Sequence, residues 1–510
     1  MENEIPSSWV WTNLGTIADT TRRKVNPQTF PDLPFVGMED VEANTMRILG
    51  TSPAVEMKSS AESFSPGDVL YGRLRPYLNK VFRPDFEGLC SSEFIPFRKS
   101  KFIESKYIQY FLNSSDFVAF ASSLNAGDRP RVDFSQLAPY RFPLSPLEEQ
   151  KRIVSKIEEL FSQLETGVNL LQRARDRIRH LRQAVLQSAV TGELTREWRE
   201  EHQSELEPAS ALLERIRTER RRKWEEDLRA KGKDPSKVKY EEIEGPDTSE
   251  LPTLPGGWVW VSFNQIIAEL KNGFFAGRPS DQPPGIPLLR INAVRSLLVD
   301  TGERRYISEN EADRGYEYYL KEGDLLFTRY NGSPNLVGVC GMVRSISEKI
   351  LYPDKLIRVR LISDVVCPNY LEFYFSSEMA RGFVKPLIKS TAGQHGIAGT
   401  DIKNIFIPLP PLEEQYEIVS DVERHLSTIE AIGKMIGNNL RKAESVRKTI
   451  LSRAFKGELI AQDPNDEPAS ELLKRIETGR AEEGEKGSKN GQRNRRIKQP
   501  ELFDSDPSIK

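Results

Sequence analysis

The same short motifs occur twice along this chain, in the same order, and that repetition limits the possible folds more than any other feature. Trp9-Val10-Trp11 returns as Trp258-Val259-Trp260, and Gly67-Asp68-Val69-Leu70 returns as Gly323-Asp324-Leu325-Leu326. Pro146-Leu147-Glu148-Glu149-Gln150 returns as Pro411-Leu412-Glu413-Glu414-Gln415. Further on, Ala189-Val190-Thr191-Gly192-Glu193-Leu194 is matched by Ala454-Phe455-Lys456-Gly457-Glu458-Leu459, and Pro208-Ala209-Ser210 by Pro468-Ala469-Ser470. Ordered self-similarity of this kind means that one supersecondary unit is built twice. Each copy reads as a globular segment, a long helix and a charged extension.

The long helices follow from a second pattern. Ile157, Leu164, Leu171, Ile178 and Val185 fall at every seventh residue, with Leu160, Gly167, Ala174 and Leu181 interleaved. That is an a/d heptad seam. A shift of 265 residues gives Val422, Ile429, Ile436, Ala443 and Ile450, with His425, Ile432, Asn439 and Val446 between them. One such seam cannot cover itself, so the two helices are expected to pack antiparallel and to hold the globular parts at opposite ends. Spanning about 147–190 and 412–455, each would be roughly 65 Å long at ~1.5 Å per residue. Ser145, Pro146 and Glu148 supply an S-x-x-E capping box for the first helix, whereas the second has Pro410 in place of Ser145. Gly192 and Gly457 stand where the helices should stop.

The globular segments carry short apolar runs broken by Gly and Pro, such as Asp68-Val69-Leu70-Tyr71 and Leu356-Ile357-Arg358-Val359-Arg360-Leu361. They predict short strands and loops, with helical patches at Ile103–Asn113 and Asn369–Ser377. The expected fold class is α+β: two mixed globular domains separated by two long antiparallel coiled-coil helices, as a pseudo-twofold internal repeat. The expected boundaries are a first globular domain at 1–145, a central helix at 146–195 and a charged connector at 196–255 with a helix over Ala209–Ala230. A second globular domain at 256–408 and a distal helix at 409–460 follow. Residues 461–510 are expected to be a charged, largely disordered tail, because 478–510 are rich in Gly, Lys, Arg and Glu.

Composition matters mainly for what it excludes. Of 510 residues, 38% are hydrophobic and 29% charged, and the formal net charge is −2. No stretch approaches the roughly 20 apolar residues of a membrane span. The acidic Met1-Glu2-Asn3-Glu4 start carries no readable signal peptide. Cys90, Cys340 and Cys367 lie far apart with no CxxC pair, so neither a disulfide scaffold nor a zinc site is expected, and the cytoplasm is the expected location. The net charge neither requires nor forbids nucleic acid, since phosphate contacts need a local basic face.

Catalytic motifs are equally sparse. Gly67-Asp68-Val69-Leu70-Tyr71-Gly72-Arg73-Leu74 has the glycine spacing of a phosphate loop but not its Lys-Ser/Thr. No G-x-G-x-x-G follows a strand. Gln282-Pro283-Pro284-Gly285 lacks both ends of an amino-methyltransferase turn. His180, His202, His395 and His425 are scattered, and solvated or packed histidines explain them best. No catalytic or metal-ligating residue is therefore assigned.

What remains is recognition chemistry in loops. In the first copy these carry Arg22-Arg23-Lys24, Arg73-Leu74-Arg75-Pro76-Tyr77 with Lys80, and Gly127-Asp128-Arg129-Pro130-Arg131. In the second they carry Arg278, Arg290 with Asn292, Arg329-Tyr330-Asn331, and Gln394-His395. Arginine can take guanine bidentately, Asn and Gln can take adenine, and glycine lets a loop approach a duplex closely. Singly, each arginine is best read as a solvated charge, and for Arg290 and Arg329 the alternative is a buried structural partner of Asp or Glu. Together, in matched positions of a duplicated module, they point to double-stranded DNA.

With these motifs in view, the chain resembles the specificity subunits of type I restriction-modification systems over nearly its whole length. The resemblance rests on Ile407-Pro408-Leu409-Pro410-Pro411-Leu412-Glu413-Glu414-Gln415 and its copy Phe142–Gln150, and on the Ala454–Leu459 helix end. It also rests on the Gly67–Lys80 and Gly323–Gly332 segments. It implies two target recognition domains, each followed by a helical region, and a non-catalytic subunit that reads a split DNA site. Partner subunits would be two methyltransferases that bind S-adenosylmethionine and methylate adenine, and motor-nucleases that use ATP and Mg; the chain itself would bind no cofactor. Because the helices and the Leu-Glu-Glu-Gln segments recur more faithfully than the domain interiors, Leu147, Gln150, Ile153, Leu412, Gln415 and Ile418 are expected to form the methyltransferase docking surface. The competing readings are a self-contained methyltransferase or nuclease, and a structural coiled-coil scaffold.

Overall fold

The computed structural model describes residues 5–362, 366–391 and 393–491. These fall into two compact units, one drawn from Met1–Gln172 and Gly437–Lys510 and the other from Arg173–Ile436. Among the described residues, four helices exceed twenty residues: α1 (Leu147–Thr191), α2 (Ala209–Ala230), α3 (Leu412–Phe455) and α4 (Ala469–Gly491). No helix among these residues is long and apolar enough to cross a membrane.

Each unit combines one globular α+β segment with the start of one long helix and the end of the other. In the first unit a five-stranded sheet has the order Lys24–Val25, Ala61–Phe64, Gly88–Ser91, Pro34–Val36, Ser52–Pro53. A three-stranded sheet has the order Val81–Phe82, Val69–Gly72, Phe94–Phe97. In the second unit the central sheet is four-stranded and antiparallel, in the order Ile267–Asn272, Leu356–Leu361, Leu325–Thr328, Cys340–Met342. The predicted helical patches are Ser105–Leu112 and Pro368–Phe375. The Trp-Val-Trp strand of each copy pairs antiparallel with the strand that leads into the long helix, placing Val10 opposite Leu144 and Val259 opposite Leu409. The repeated motifs are thus neighbours in space within their own unit.

The expected cuts after residues 145 and 408 follow the change from strands to helix, but the cores cross them. In the first unit Trp9, Tyr107, Phe111, Phe142 and Leu144 share one cluster with Ile153 and Ile157 of α1 and with Ala454 and Phe455 of α3. The Phe455 ring stands edge-on to Tyr107 at 5.1 Å and to Phe111 at 5.3 Å. In the second unit Val185, Leu186, Ala189 and Val190 of α1 pack with Ile418 and Val422 of α3 and with Trp258, Tyr370 and Leu409. The beginning of one long helix therefore lies beside the end of the other in each unit, the antiparallel pairing the heptads predict.

The seam is narrower than the sequence suggests. Its sevenfold row is buried near the domains, at Ile157, Val185, Val422, Ile429, Ile436 and Ile450. The interleaved row opens to solvent instead, leaving Leu181, Ile432 and Val446 42–50% exposed. The helices give their apolar stripe to the globular cores as well as to each other, so one row suffices. Both helices stop as expected, with Gly192 and Gly457 at φ +74°. A Cβ at these positions would also strike the ring of Pro255 or of Pro6.

The helix starts are built differently from the expected capping box. Gln150 donates from its amide to the Ser145 carbonyl (2.9 Å) and accepts from the Glu104 N–H (3.0 Å). Gln415 does the same with the Pro410 carbonyl (3.0 Å) and the Cys367 N–H (2.9 Å). Beside it, the wholly buried Glu414 accepts from the Trp258 indole (2.8 Å), the Thr195 hydroxyl (2.7 Å) and Arg199 (2.6 Å). Four of the six residues expected in the docking surface are thereby taken up by the chain itself. Gln150, Ile153, Gln415 and Ile418 are at most 1% exposed and serve the chain's own core, while Leu147 and Leu412 pack half-buried against it. Their faithful recurrence reflects a junction that must be satisfied twice.

The tail needs a second correction. Residues 469–491 form α4, and its Ala469, Leu472 and Ile476 lie buried in the first unit's core. Spacing of i, i+3 and i+7 makes an amphipathic face that the charge-rich composition hides. Its counterpart α2, over the predicted residues, buries Ala209, Leu212 and Ile216. At matching positions Arg480 donates to the Gly15 carbonyl (2.6 Å) and Arg220 to the Asn264 carbonyl, so each charged extension straps the first turn after its Trp-Val-Trp strand. Residues 492–510 of the expected tail lie outside the described residues.

Glu149, the partner copy of Glu414, has no arginine at the Arg199 position, where the repeat places Pro464. Burial pushes its pKa above the ordinary glutamate range, outweighing the help of the Trp9 indole and the Gln462 amide. The native state then holds more protons than the unfolded chain between that range and the raised value. Stability from this group falls as pH rises through the window, and its penalty persists at neutral pH. Glu149→Gln should therefore be neutral or stabilising at pH 7 and should flatten that fall. Glu414→Gln should cost about 3 kcal/mol or more, because it strands Arg199. Urea unfolding of both variants across pH 4.5–8 checks this; equal losses would refute the asymmetry.

Candidate nucleic-acid interface

The Gly-Asp motif of each copy sets where the recognition loops emerge. Gly67 and Gly323 take φ of +91° and +83° to make the turn. The buried Asp68 that follows accepts from the Ser65 N–H (3.1 Å), Arg98 (2.9 Å) and the Lys99 N–H (2.9 Å). Asp324 likewise accepts from the Lys321 N–H (2.8 Å) and Arg360 (2.7 Å). Each aspartate locks the turn and ties one strand to its neighbour, fixing the direction in which Val69–Gly72 and Leu325–Thr328 run. Those strands leave the sheet at Arg73 and Arg329.

In the second unit three chain segments meet at that exit. The ladder puts Asn272 opposite Ile357 and Thr328 opposite Leu356, so three strands share one sheet end. After Thr328 the chain forms the short strand Tyr330–Asn331, which pairs with Gln394–Gly396, itself paired with Lys389–Thr391. Arg329, Tyr330, Asn331, Gln394 and His395 are thereby brought together. The Arg329 guanidinium lies 4.8 Å over the Tyr330 ring, and its backbone N–H donates to the Lys355 carbonyl (2.8 Å). The loop bearing the exposed Arg278 begins at the same end, where the Gly273 N–H donates to the Leu356 carbonyl (3.0 Å). Arg290 and Asn292 sit elsewhere, after the strand Ile286–Leu289, where Arg290 and Arg305 share Asp281. Arg290 has an acid partner, but an exposed one and not the buried one expected; for Arg329 the neighbours are a ring and carbonyl groups.

In the first unit the loops 73–80 and 127–131 are laced together. The Arg75 N–H donates to the Pro130 carbonyl (2.7 Å), the Val132 N–H to the Arg73 carbonyl (3.0 Å), and Leu74 bridges Arg131. Arg73 pairs with Asp133 (2.5 Å) and Arg131 with Glu93 (2.9 Å). Tyr77 is 49% exposed and Arg129 is exposed, whereas Lys80 donates to the Met38 carbonyl (2.5 Å). Arg75 and Asn79 both take left-handed conformations, at φ +53° and +39°, around the turn Pro76–Leu78. Non-glycine residues hold such conformations where the surroundings over-determine them, often at functional loops. Arg22, Arg23 and Lys24 are carried on the five-stranded sheet instead, where Arg22 approaches the buried Glu62 at 3.6 Å.

Chemically, each sheet end offers guanidinium groups, phenol rings and, in the second unit, side-chain amides on a rigid base. Acid-paired Arg73 and Arg131 are held in orientation yet remain able to trade a carboxylate for a phosphate or a base edge. Sequence reading passed over Phe275 and Lys355, which are exposed at the second unit's site. Nothing in the apolar pattern marks Phe275, since Phe274 beside it is buried; only the flanking Gly273 and Gly277 set it apart.

Comparison with known proteins follows the same division. The family model described as the type I restriction modification DNA specificity domain matches residues 13–172 and again 255–438. The EcoKI type I restriction enzyme specificity subunit of Escherichia coli K12 is 34% identical over 405 residues, covering 76% of this chain and 75% of that protein. The StySPI specificity subunit of Salmonella potsdam is 28% identical, covering 79% and 77%. Among solved structures, a chain from a study of complex assembly and conformational transition in a type I R-M system superposes with a TM-score of 0.65. It is 21% identical and covers 89% of this chain and 100% of that one. The HsdS subunit from Thermoanaerobacter tengcongensis gives 0.51 at 21% identity, covering 89% and 98%.

The left-handed Arg75 allows a test of whether this loop is kept for stability. Glycine adopts that conformation freely, whereas a residue with a Cβ pays roughly 1–2 kcal/mol. Arg75→Gly should leave the free energy of unfolding unchanged or raise it by up to about 1 kcal/mol, read from urea denaturation. A clear loss of stability would give the guanidinium a structural role instead.

Proposed function

This chain belongs to the type I restriction-modification DNA specificity family, and from that membership we propose that its two units each read one half of a split double-stranded DNA target and so direct partner subunits to it. Those partners are two methyltransferase subunits, which bind S-adenosylmethionine and methylate adenine, and motor-nuclease subunits that use ATP and Mg. The chain itself is non-catalytic, binds no cofactor and works in the cytoplasm.

The observation that carries this reading is the convergence of Arg329, Tyr330, Asn331, Gln394 and His395 at one sheet end, on a strand whose repeat delivers Arg73 and Arg75 in the other unit. Such side chains discriminate base edges in the major groove, while lysines and arginines beside them neutralise phosphate. Because the loops differ between the copies while the strand-to-helix junctions recur, the two half-sites differ while their separation is fixed, leaving an unread gap of several base pairs. A coiled-coil scaffold would have no use for these loops. A self-contained methyltransferase would need the glycine-rich cofactor turn that the sequence lacks.

With Gln150, Ile153, Gln415 and Ile418 inside the chain's own core, the surface offered to the methyltransferases lies on the outward faces of the long helices. Leu170 and Val446 of the first unit and Leu181, Ile432 and Met435 of the second stand 42–63% exposed there.

Two measurements test the reading. Exchanging residues 1–145 for the first domain of another specificity subunit should change one half of the methylated site, leaving the other half and the gap as they were; a change in both halves refutes modular reading. Arg73→Ala or Arg329→Ala should weaken binding of the assembled complex by ~1–3 kcal/mol and relax only its own half-site if the residue touches a base. A uniform loss over all sequences, with a shallower salt dependence, assigns it to phosphate.

A further inference from the structure

We propose that Phe275 is an apolar base reader of the second half-site, with its ring seated against the C5-methyl group of a thymine in the major groove. The inference rests on the reading of this sheet end as a DNA site and names one contact within it.

Phe275 is 78% exposed, more than any other large hydrophobic residue among those described. Water is a poor environment for a phenyl ring, and the fold has not lacked the means to bury one, since Phe274 next to it is buried. The loop that carries the ring is fastened on both sides. The Phe274 N–H donates to the Tyr352 carbonyl (2.9 Å), and the Asp354 N–H returns to the Phe274 carbonyl (3.0 Å). Beyond the ring, the Gly277 N–H donates to the Glu311 carboxylate (2.8 Å). The approach to the 352–354 turn is so close that a Cβ at Gly273 would lie 2.0 Å from the Pro353 carbonyl oxygen. The backbone on both sides of the ring is thus held in place, which lowers the entropy the loop loses when it meets a surface.

The position of the ring names its ligand. The same turn leads through Lys355, exposed, into the central strand, and the Lys355 carbonyl accepts from the Arg329 N–H. Phe275 therefore leaves the sheet end that also carries Tyr330, Asn331 and Gln394. Those polar groups suit base edges and phosphates; the apolar feature of a major groove is the thymine methyl, which aromatic side chains contact. A half-site methylated on adenine contains at least one thymine. At the position that the Trp-Val-Trp repeat matches to Phe275 the first unit has Asn26, which is not aromatic, so this contact belongs to the second half-site.

The test uses the full chain assembled with its methyltransferase subunits and a duplex carrying its own methylated target. Each thymine of the second half-site is replaced in turn by deoxyuridine, which lacks only the methyl group. Wild-type complex should lose about fourfold in affinity at one of these positions, the equivalent of one methyl removed from contact. Phe275→Ala should bind the natural duplex at least about fourfold more weakly and show no further loss on the deoxyuridine duplex. Phe275→Leu should keep the coupling. An unchanged melting temperature for both variants shows that the fold is intact. Unaltered binding by Phe275→Ala overturns the proposal, as does a loss that is uncoupled from every thymine methyl. If Arg329→Ala and Phe275→Ala both leave the affinity unchanged, the reading of the sheet end is at fault, and not the role of this one ring.

Discussion

At both strand-to-helix junctions a glutamate and a glutamine are taken wholly out of water, and the arrangement of each unit follows from satisfying them. A buried carboxylate or amide is costly unless its hydrogen-bonding capacity is met. Gln150 and Gln415 meet theirs by joining the strand before the long helix to the helical patch of the globular segment, through the Glu104 and Cys367 N–H groups. Glu414 meets its need by gathering the Trp-Val-Trp strand, the end of the other long helix and the connector into one bonded cluster. Two of the repeated sequence motifs, Trp-Val-Trp and Leu-Glu-Glu-Gln, meet in this cluster.

The junctions also explain why neither globular segment ends where its strands end. Phe455 and Ile157 are core residues of the first unit as much as Phe142 is, and α4 closes that core as α2 closes the other. Arg480 and Arg220 bind the same backbone carbonyl position in each copy. The first copy of the carboxylate site is less complete. Glu149 keeps a desolvation cost that Trp9, Gln462 and the charge of Arg152 do not offset, whereas Glu414 is paired directly with Arg199, so the two sites are not built alike.

Much of this was readable in sequence because long, periodic or repeated patterns report backbone structure directly. The heptad row at Ile157, Val185, Val422 and Ile450, the helix stops at Gly192 and Gly457, and α2 all follow from spacing alone. The readings that differed share one cause: sequence shows that a residue recurs, but not what it faces. Ile153 and Ile418 recur because they are buried inside, which from sequence looks the same as a surface offered to a partner. The capping box at Ser145 is a valid local pattern that the Gln150 clamp displaces. Ala469, Leu472 and Ile476 are too few, among too many charges, for composition to reveal α4. Half of the site was similarly hidden. That Asn331 and His395 pair across a ladder is a fact of topology, sixty-odd residues apart in the chain, and Phe275 has no signature beyond the glycines that flank it.

The structure finally separates two kinds of arginine that sequence cannot distinguish. Arg98, Arg358 and Arg360 lie in or just beyond a strand, with Asp68, Glu269 and Asp324 as partners, and Arg358 is 1% exposed. Their charge is spent on the framework, where removing either partner would leave an uncompensated ion. Arg73, Arg75 and Arg329 begin one residue or a few past the end of the equivalent strand, where the ladder no longer fixes the side chain. A residue can vary at such a position without disturbing a buried pair, and the locked Gly-Asp turn behind it keeps the direction of exit constant. Placing the loops one step beyond a strand that starts from the same locked Gly-Asp turn lets the two copies carry different side chains at the same exit while each keeps its own core.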